Sequence, residues 1–151
     1  MARSRACEAR GYGRLVRERL GDGFVPSERI FATDAVFAEP GAAWLVAYED
    51  GLPVACGGLR TLKPGVGEIK RMFVTAGARG RGHARRLLRE LERRAAAAGH
   101  GSVRLLTTDV LSEARALYAS EGYVLRRRRE QPGEPVTIWL EKALPASRDH
   151  S

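Results

Sequence analysis

Apolar positions alternate with polar ones from Trp44 onward, and then give way to a long helical stripe after Gly82. Trp44–Tyr48 predicts a strand, Asp50-Gly51 a tight hairpin turn, and Val54–Leu62 the return strand. Pro64-Gly65 makes the next turn. Glu68–Val74 is a third strand, whose alternation puts Glu68, Lys70, Met72 and Val74 on one face if it is regular. These strands predict an antiparallel meander. Gly82–Ala98 predicts the longest helix, with Ala84, Leu87, Leu88, Leu91, Ala95 and Ala98 on one stripe and Arg85, Arg86, Arg89, Glu92 and Arg93 mostly elsewhere. Arg86–Glu90 and Glu90–Arg94 are spaced to pair along its surface, and Gly99 ends it.

Val103–Thr107 predicts a fourth strand, parallel to the third through the helical crossover. Ser112 is placed to cap a short helix, Glu113–Ser120, ended by Gly122. Tyr123–Leu125 and Val136–Leu140 predict the last strands. Before the meander, Ala6–Leu20 predicts a first helix stopped by Gly21 and Gly23, and 24–42 reads as irregular, a candidate wall of a substrate pocket. The tail from Pro145 reads as frayed. The sum is one α/β domain over 1–151: a mixed, mostly antiparallel central sheet flanked by helices on both faces.

Composition changes this picture little. The chain has 151 residues, enough for one real core. Its 26 basic and 18 acidic residues give a net charge of +8. That balance invites a nucleic-acid reading, but the cations are scattered among acids and only Lys63, Lys70 and Lys142 are lysines. The excess is a chain-wide preference for arginine, and nucleic acid is not the expected partner. Cys7 and Cys56 are too few to staple the domain. Neither a membrane span nor an apolar leader is legible, so a cytoplasmic protein is expected.

The chemistry concentrates at the junction of third strand and helix, Arg79-Gly80-Arg81-Gly82-His83-Ala84. Such a turn aims backbone N–H groups and the positive end of a helix at one point, which suits an anion, phosphate above all. It lacks the Gly-Lys-Ser/Thr ending of a nucleoside-triphosphate loop and the full dinucleotide spacing. Taken alone, the loop also reads as an ordinary glycine turn before a basic helix.

The segment Glu68–Tyr123 resembles the core of the GNAT superfamily of acyl-coenzyme A N-acyltransferases. Its phosphate loop has Gln/Arg, two residues, Gly/Ala, one residue, Gly/Ala, matched by Arg79, Gly82 and Ala84. The likeness extends to Gly57-Gly58-Leu59-Arg60, to Glu68–Val74, and to Ala114, Leu117-Tyr118 and Glu121-Gly122-Tyr123. It implies a GNAT-like acyltransferase fold and acetyl-coenzyme A as co-substrate, with no metal. A bulged strand at Met72, Phe73 and Val74 would run beside the pantetheine arm, and the N–H groups of Arg79, Gly80, Arg81, Gly82, His83 and Ala84 would hold the diphosphate. It makes Tyr118 the candidate acid for the departing thiolate, or else an aromatic that packs the short helix. Glu68 becomes the candidate base, or a substrate-binding group, or the partner of Lys70 or Arg71.

The implied activity is acetyl transfer to a primary amine of a small molecule by direct attack in a ternary complex. Its rivals are a protein N-terminal or lysine acetyltransferase, a non-catalytic coenzyme A binding regulatory domain, and a nucleic-acid module. A homodimer through the last strands is compatible with the pattern. Cys56 reads as a buried small residue, since no His–Asp pair accompanies it; the His83 ring reads as solvated, and His100 and His150 have no metal-ligand company. Arg126–Arg129 reads as a solvated strand end, able to attract an acidic acceptor or the 3′-phosphate of coenzyme A. Relatives often carry Asn where Leu111 stands, and an Asn/Tyr-rich loop where this chain has Pro132 and Pro135.

Overall fold

The structure, a computed structural model, describes Phe37, residues 39–108 and residues 112–145. The expected first helix, most of the stretch 24–42 and the end of the tail lie outside them. The elements run β1 (Ala43–Glu49), β2 (Leu52–Lys63), β3 (Val66–Val74), a single 3-10 turn (Ala76–Ala78), α1 (His83–Ala97), β4 (Ser102–Thr108), α2 (Ser112–Ser120), β5 (Val124–Arg129) and β6 (Thr137–Ala143). The expected strands are all present, most of them one to several residues longer, and α2 starts at Ser112 itself.

The strands form one mixed sheet in the order β1-β2-β3-β4-β6-β5. Among the described strands only β3 and β4 are parallel, as their helical crossover requires. The β1–β2 hairpin turns through Asp50 (φ 50°) and Gly51 (φ 78°), the left-handed pair that matches the twist of the strands.

One face of the sheet carries the core. Leu59, Ile69, Val103, Leu105, Ile138 and Leu140 pack with Leu88, Leu91 and Ala95 of α1 and with Tyr118 and Tyr123 at the end of α2. Leu59, Leu88, Leu91, Val103 and Ile138 are fully buried, and a buried side chain of this kind contributes about 1.5–3 kcal/mol. Glu92 shares this side of α1, a correction to its expected place on the solvated face. Its carboxylate accepts from Tyr123 Oη and Lys142 Nζ, each at 2.8 Å. Glu121, just past α2, accepts from Arg85 Nη1 at 2.7 Å and so ties the second helix to the first.

The other face is different. Arg60, Glu68, Arg104 and Glu141 stand in register across β2, β3, β4 and β6, a half-buried row of alternating charge. On the outer strand, Arg127 and Arg129 stack over Trp139 at 4.9 and 5.8 Å. Arg126 meets Glu141 at 3.4 Å and Arg128 meets Glu130 at 3.0 Å.

Candidate active site

The third strand is not regular, which corrects the simple alternation. Cys56 pairs with Phe73 and Gly58 with Lys70, so Gly57 alone faces both Arg71 and Met72. This is a β-bulge, and Arg71 carries the positive φ of 57° that accommodates the extra residue. The bulge turns Met72 to the core side, where a Cβ on Gly57 would stand 2.4 Å from its sulfur. Arg71 goes to the other side, 5.2 Å above the Phe37 ring. Only glycine at 57 and 58 leaves room for both: a Cβ on Gly58 would meet the Phe37 ring at 2.3 Å.

Beyond the bulge the sheet opens. β3 and β4 pair only from Val66–Ile69 to Ser102–Leu105, although the strands run on to Val74 and Thr108. Thr75 N–H donates to Val54 C=O at 2.8 Å. Ladder alternation then turns the N–H and C=O of Val74, and of Met72 two residues back, away from β2 and toward the opening. The Thr108 hydroxyl, at the same end of β4, is buried without a hydrogen-bond partner among the described residues.

The chain leaves this opening through the 3-10 turn and enters the glycine loop. Gly80 (φ 80°) and Gly82 (φ 81°) hold left-handed conformations that suit only glycine well, and Gly82 is the N-cap of α1. The first bond of the helix is Arg86 N–H to Gly82 C=O at 3.1 Å. The N–H groups of Gly80 through Arg85 therefore have no backbone acceptor among the described residues. The first turn of α1 holds no acidic residue to offset its positive end. A cradle of unpaired donors thus sits at the mouth of a split between two strands.

A family model, the acetyltransferase (GNAT) family, matches residues 9–123. The chain belongs to that family. It is 39% identical over 129 residues to an IAA acetyltransferase of Azospirillum brasilense, covering 83% of each chain. Its fold matches a GNAT-family acetyltransferase of Staphylococcus aureus with a TM-score of 0.79 at 17% identity, over 96% of each chain. It also matches a GNAT phosphinothricin acetyltransferase of Sinorhizobium meliloti, solved in complex with AcCoA, with a TM-score of 0.71 at 19% identity; 98% of this chain and 89% of that one are covered.

Within this acetyltransferase the expected residues fall on both sides of the split. Glu68 lies on the charged face, in the paired part of β3 just before the strands part. Arg60 Nε donates to it at 2.8 Å and Lys70 Nζ stands 3.6 Å away; Arg71 is not its partner. Tyr118 lies on the opposite, core face, buried, with its ring centroid 5.7 Å from that of Tyr123. Cys56 is buried and its thiol meets Arg71 C=O at 3.5 Å. Among the described residues no cluster of His, Cys, Asp or Glu could hold a metal ion, and no helix is long and apolar enough to cross a membrane.

The loop side chains depart from expectation. Arg79 folds back and donates to Val74 C=O at 3.3 Å. Arg81 pairs with Glu49, at the end of β1. The His83 ring is buried, not solvated, because its Nε2 meets the same carboxylate. That bond and the Arg81 guanidinium outweigh desolvation and hold the Glu49 carboxyl below its ordinary value. Arg86 bonds to Arg81 C=O at 2.9 Å and to His83 Nδ1 at 3.1 Å, so Glu90 pairs instead with Arg93 and Arg94. Glu49 gave no signal in the sequence, since its partners stand 32 and 34 positions away.

Proposed function

We propose that this GNAT acetyltransferase moves an acetyl group from acetyl-coenzyme A to a primary amine of a small molecule, by direct attack in a ternary complex. The observation that carries this reading is the split between β3 and β4 opening onto the unpaired N–H groups of Gly80–Arg85. Among the described residues a Cβ built on Gly80 meets nothing within 4 Å, which supports an open approach to the cradle. Bound there, acetyl-coenzyme A supplies the activated acyl group.

The protein's part is positioning and charge. The N–H groups of Gly80, Arg81, Gly82, His83 and Ala84 bind the diphosphate; that of Arg79, expected to join them, already donates to Ala76 C=O at 3.5 Å. The inner edge of Met72, Phe73 and Val74 holds the extended arm, and one fixed N–H stabilises negative charge developing on the carbonyl oxygen. Glu68 takes the ammonium proton through water: it sits at the closed end of the split, and Arg60 fixes the orientation of its carboxylate. Tyr118 gives a proton to the departing thiolate from the opposite face.

The test is thiol release over a panel of small amines, with IAA added because the Azospirillum relative carries that name, and with peptide N-termini and lysines as competitors. Turnover on small amines, lowered by Glu68→Gln most at low pH and slowed by Tyr118→Phe, is the expected result. Wild-type rates in both variants would remove these residues from the mechanism. Coenzyme A binding without turnover on any amine would leave a binding domain.

A further inference from the structure

The His83 ring is the hub of a closed circuit around the glycine loop. Arg86 Nη2 lies 3.1 Å from His83 Nδ1. A guanidinium can only donate, so Nδ1 accepts and carries no proton. The ring proton is then on Nε2, which donates to Glu49. Glu49 also accepts from Arg81, and the Arg81 carbonyl accepts from Arg86 at 2.9 Å. Glu49 comes from β1, Arg81 from the loop and Arg86 from α1, so three separate pieces of chain are tied through one buried imidazole. A carboxylate this close to an anion site would normally oppose the ligand. Here its charge is met by Arg81 and by the His83 N–H, and the Arg81 side chain is drawn down onto β1.

We propose that Glu49 and His83 are positioning residues that preset the loop in its diphosphate-binding shape. The inference rests on the proposed use of coenzyme A. Two left-handed glycines make the free loop loose, because glycine has the widest choice of backbone conformations. Closing the circuit removes that freedom before the ligand arrives, and preorganisation of this kind appears as affinity. The circuit touches neither Glu68 nor Tyr118, so its loss acts on coenzyme binding more than on the chemical step.

The experiment measures coenzyme A affinity by calorimetry, and KM and kcat for acetyl-coenzyme A at saturating amine. The variants are Glu49→Gln, His83→Gln and His83→Asn, with Glu90→Gln as a surface control of equal charge change. Glutamine places an N–H near the position of Nε2 and keeps the tie to Glu49; asparagine places an oxygen near Nδ1 and loses it. Glu49→Gln and His83→Asn are expected to raise Kd and KM about tenfold with a much smaller change in kcat, and His83→Gln to recover most of the loss. Unchanged affinity in Glu49→Gln, a loss confined to kcat, or equal behaviour of the two His83 variants would overturn the proposal. Nitrogen NMR of the wild-type ring tests it without any variant: an Nε2–H tautomer is expected, and an Nδ1–H tautomer overturns it. A wild type that binds no coenzyme A would overturn the functional reading instead, and the tautomer would still test the circuit.

Discussion

Replacing Gly80 with alanine isolates the conformational demand of the loop. Gly80 has φ 80°, and a Cβ there meets no atom of the described residues within 4 Å. The alanine therefore brings no clash with them, only the cost of a left-handed backbone, about 1–2 kcal/mol. The free loop relaxes toward an ordinary conformation and must be returned on binding, so that cost lowers the population competent to bind. Converted at tenfold per 1.4 kcal/mol, the expected rise in KM for acetyl-coenzyme A is about 5- to 30-fold. Gly82→Ala should cost at least as much. It is left-handed too, and its Cβ would lie 3.0 Å from Arg86 Nη1, displacing the guanidinium that reaches His83 and the Arg81 carbonyl. Gly77→Ala is the control: its site is open and its φ is not positive, so KM should change less than about twofold. The assay is initial-rate kinetics at saturating amine, with thermal melts to show that each variant is folded. A Gly80→Ala enzyme whose KM matches that of Gly77→Ala would refute the view that the loop's left-handed shape is the binding shape.

Glu92→Ala should destabilise the fold by about 3 kcal/mol in urea titrations, since it strands the Lys142 cation and the buried Tyr123 hydroxyl together. Changing all three to Leu, Met and Phe should cost less than that single change, and a single-variant penalty below about 1 kcal/mol would count against the network. Gly58→Ala should lose about 1–3 kcal/mol, because its Cβ would enter the Phe37 ring, over which Arg71 also lies. Stability should also fall at both ends of the pH range. The Arg93 hydrogen bond, with Arg94, lowers the Glu90 carboxyl from 4.5 to about 2. For Glu121 burial raises the value, but Arg89 and Arg85 outweigh it and the net shift is downward. Carboxyls depressed in the folded state bind fewer protons there than when unfolded. Their stabilisation is thus full above pH 4.5 and is lost as pH falls toward about 2; Glu90, a surface group, contributes under about 1 kcal/mol of it. Tyr123 works in the opposite sense. Burial and the Glu92 charge push its phenol up from 10.0, so stability declines as pH rises above that value. Urea titrations from acid to alkali should show a flatter alkaline limb in Tyr123→Phe.

What the sequence disclosed was local. The α1 stripe and the Asp50-Gly51 turn depend on residues a few positions apart, and the structure follows them except at Ala98, which caps the helix and is exposed. The Arg79–Ala84 loop stood out because two glycines fall between a strand and a helix, although by itself that pattern also fits an ordinary turn. The bulge at Arg71–Met72 was hidden from alternation, since a positive φ at arginine is announced by no side-chain preference; only the family resemblance implied it. The insertion of β6 between β4 and β5 was equally silent, because strand order is set by long-range pairing. Glu92 and His83 were misplaced for one shared reason. Each is polar and stands where a local pattern favours solvent, but each is buried by partners far along the chain, Lys142 in one case and Glu49 in the other. Arg86 was assigned to Glu90 by spacing alone, and the nearby imidazole won.

Among the described residues the outer strand Val124–Arg129 leaves one row of its backbone groups without a neighbouring strand, and such a row can template edge-to-edge association. A second copy laid along it antiparallel, in the register that aligns the two Arg126–Arg129 runs, would bring guanidinium against guanidinium. The fold thus carries a built-in repellent along this border of the sheet. That repulsion acts over about 10 Å at 0.1 M salt and shortens as ionic strength rises, so dilute buffers, rather than concentrated ones, should keep this acetyltransferase dispersed.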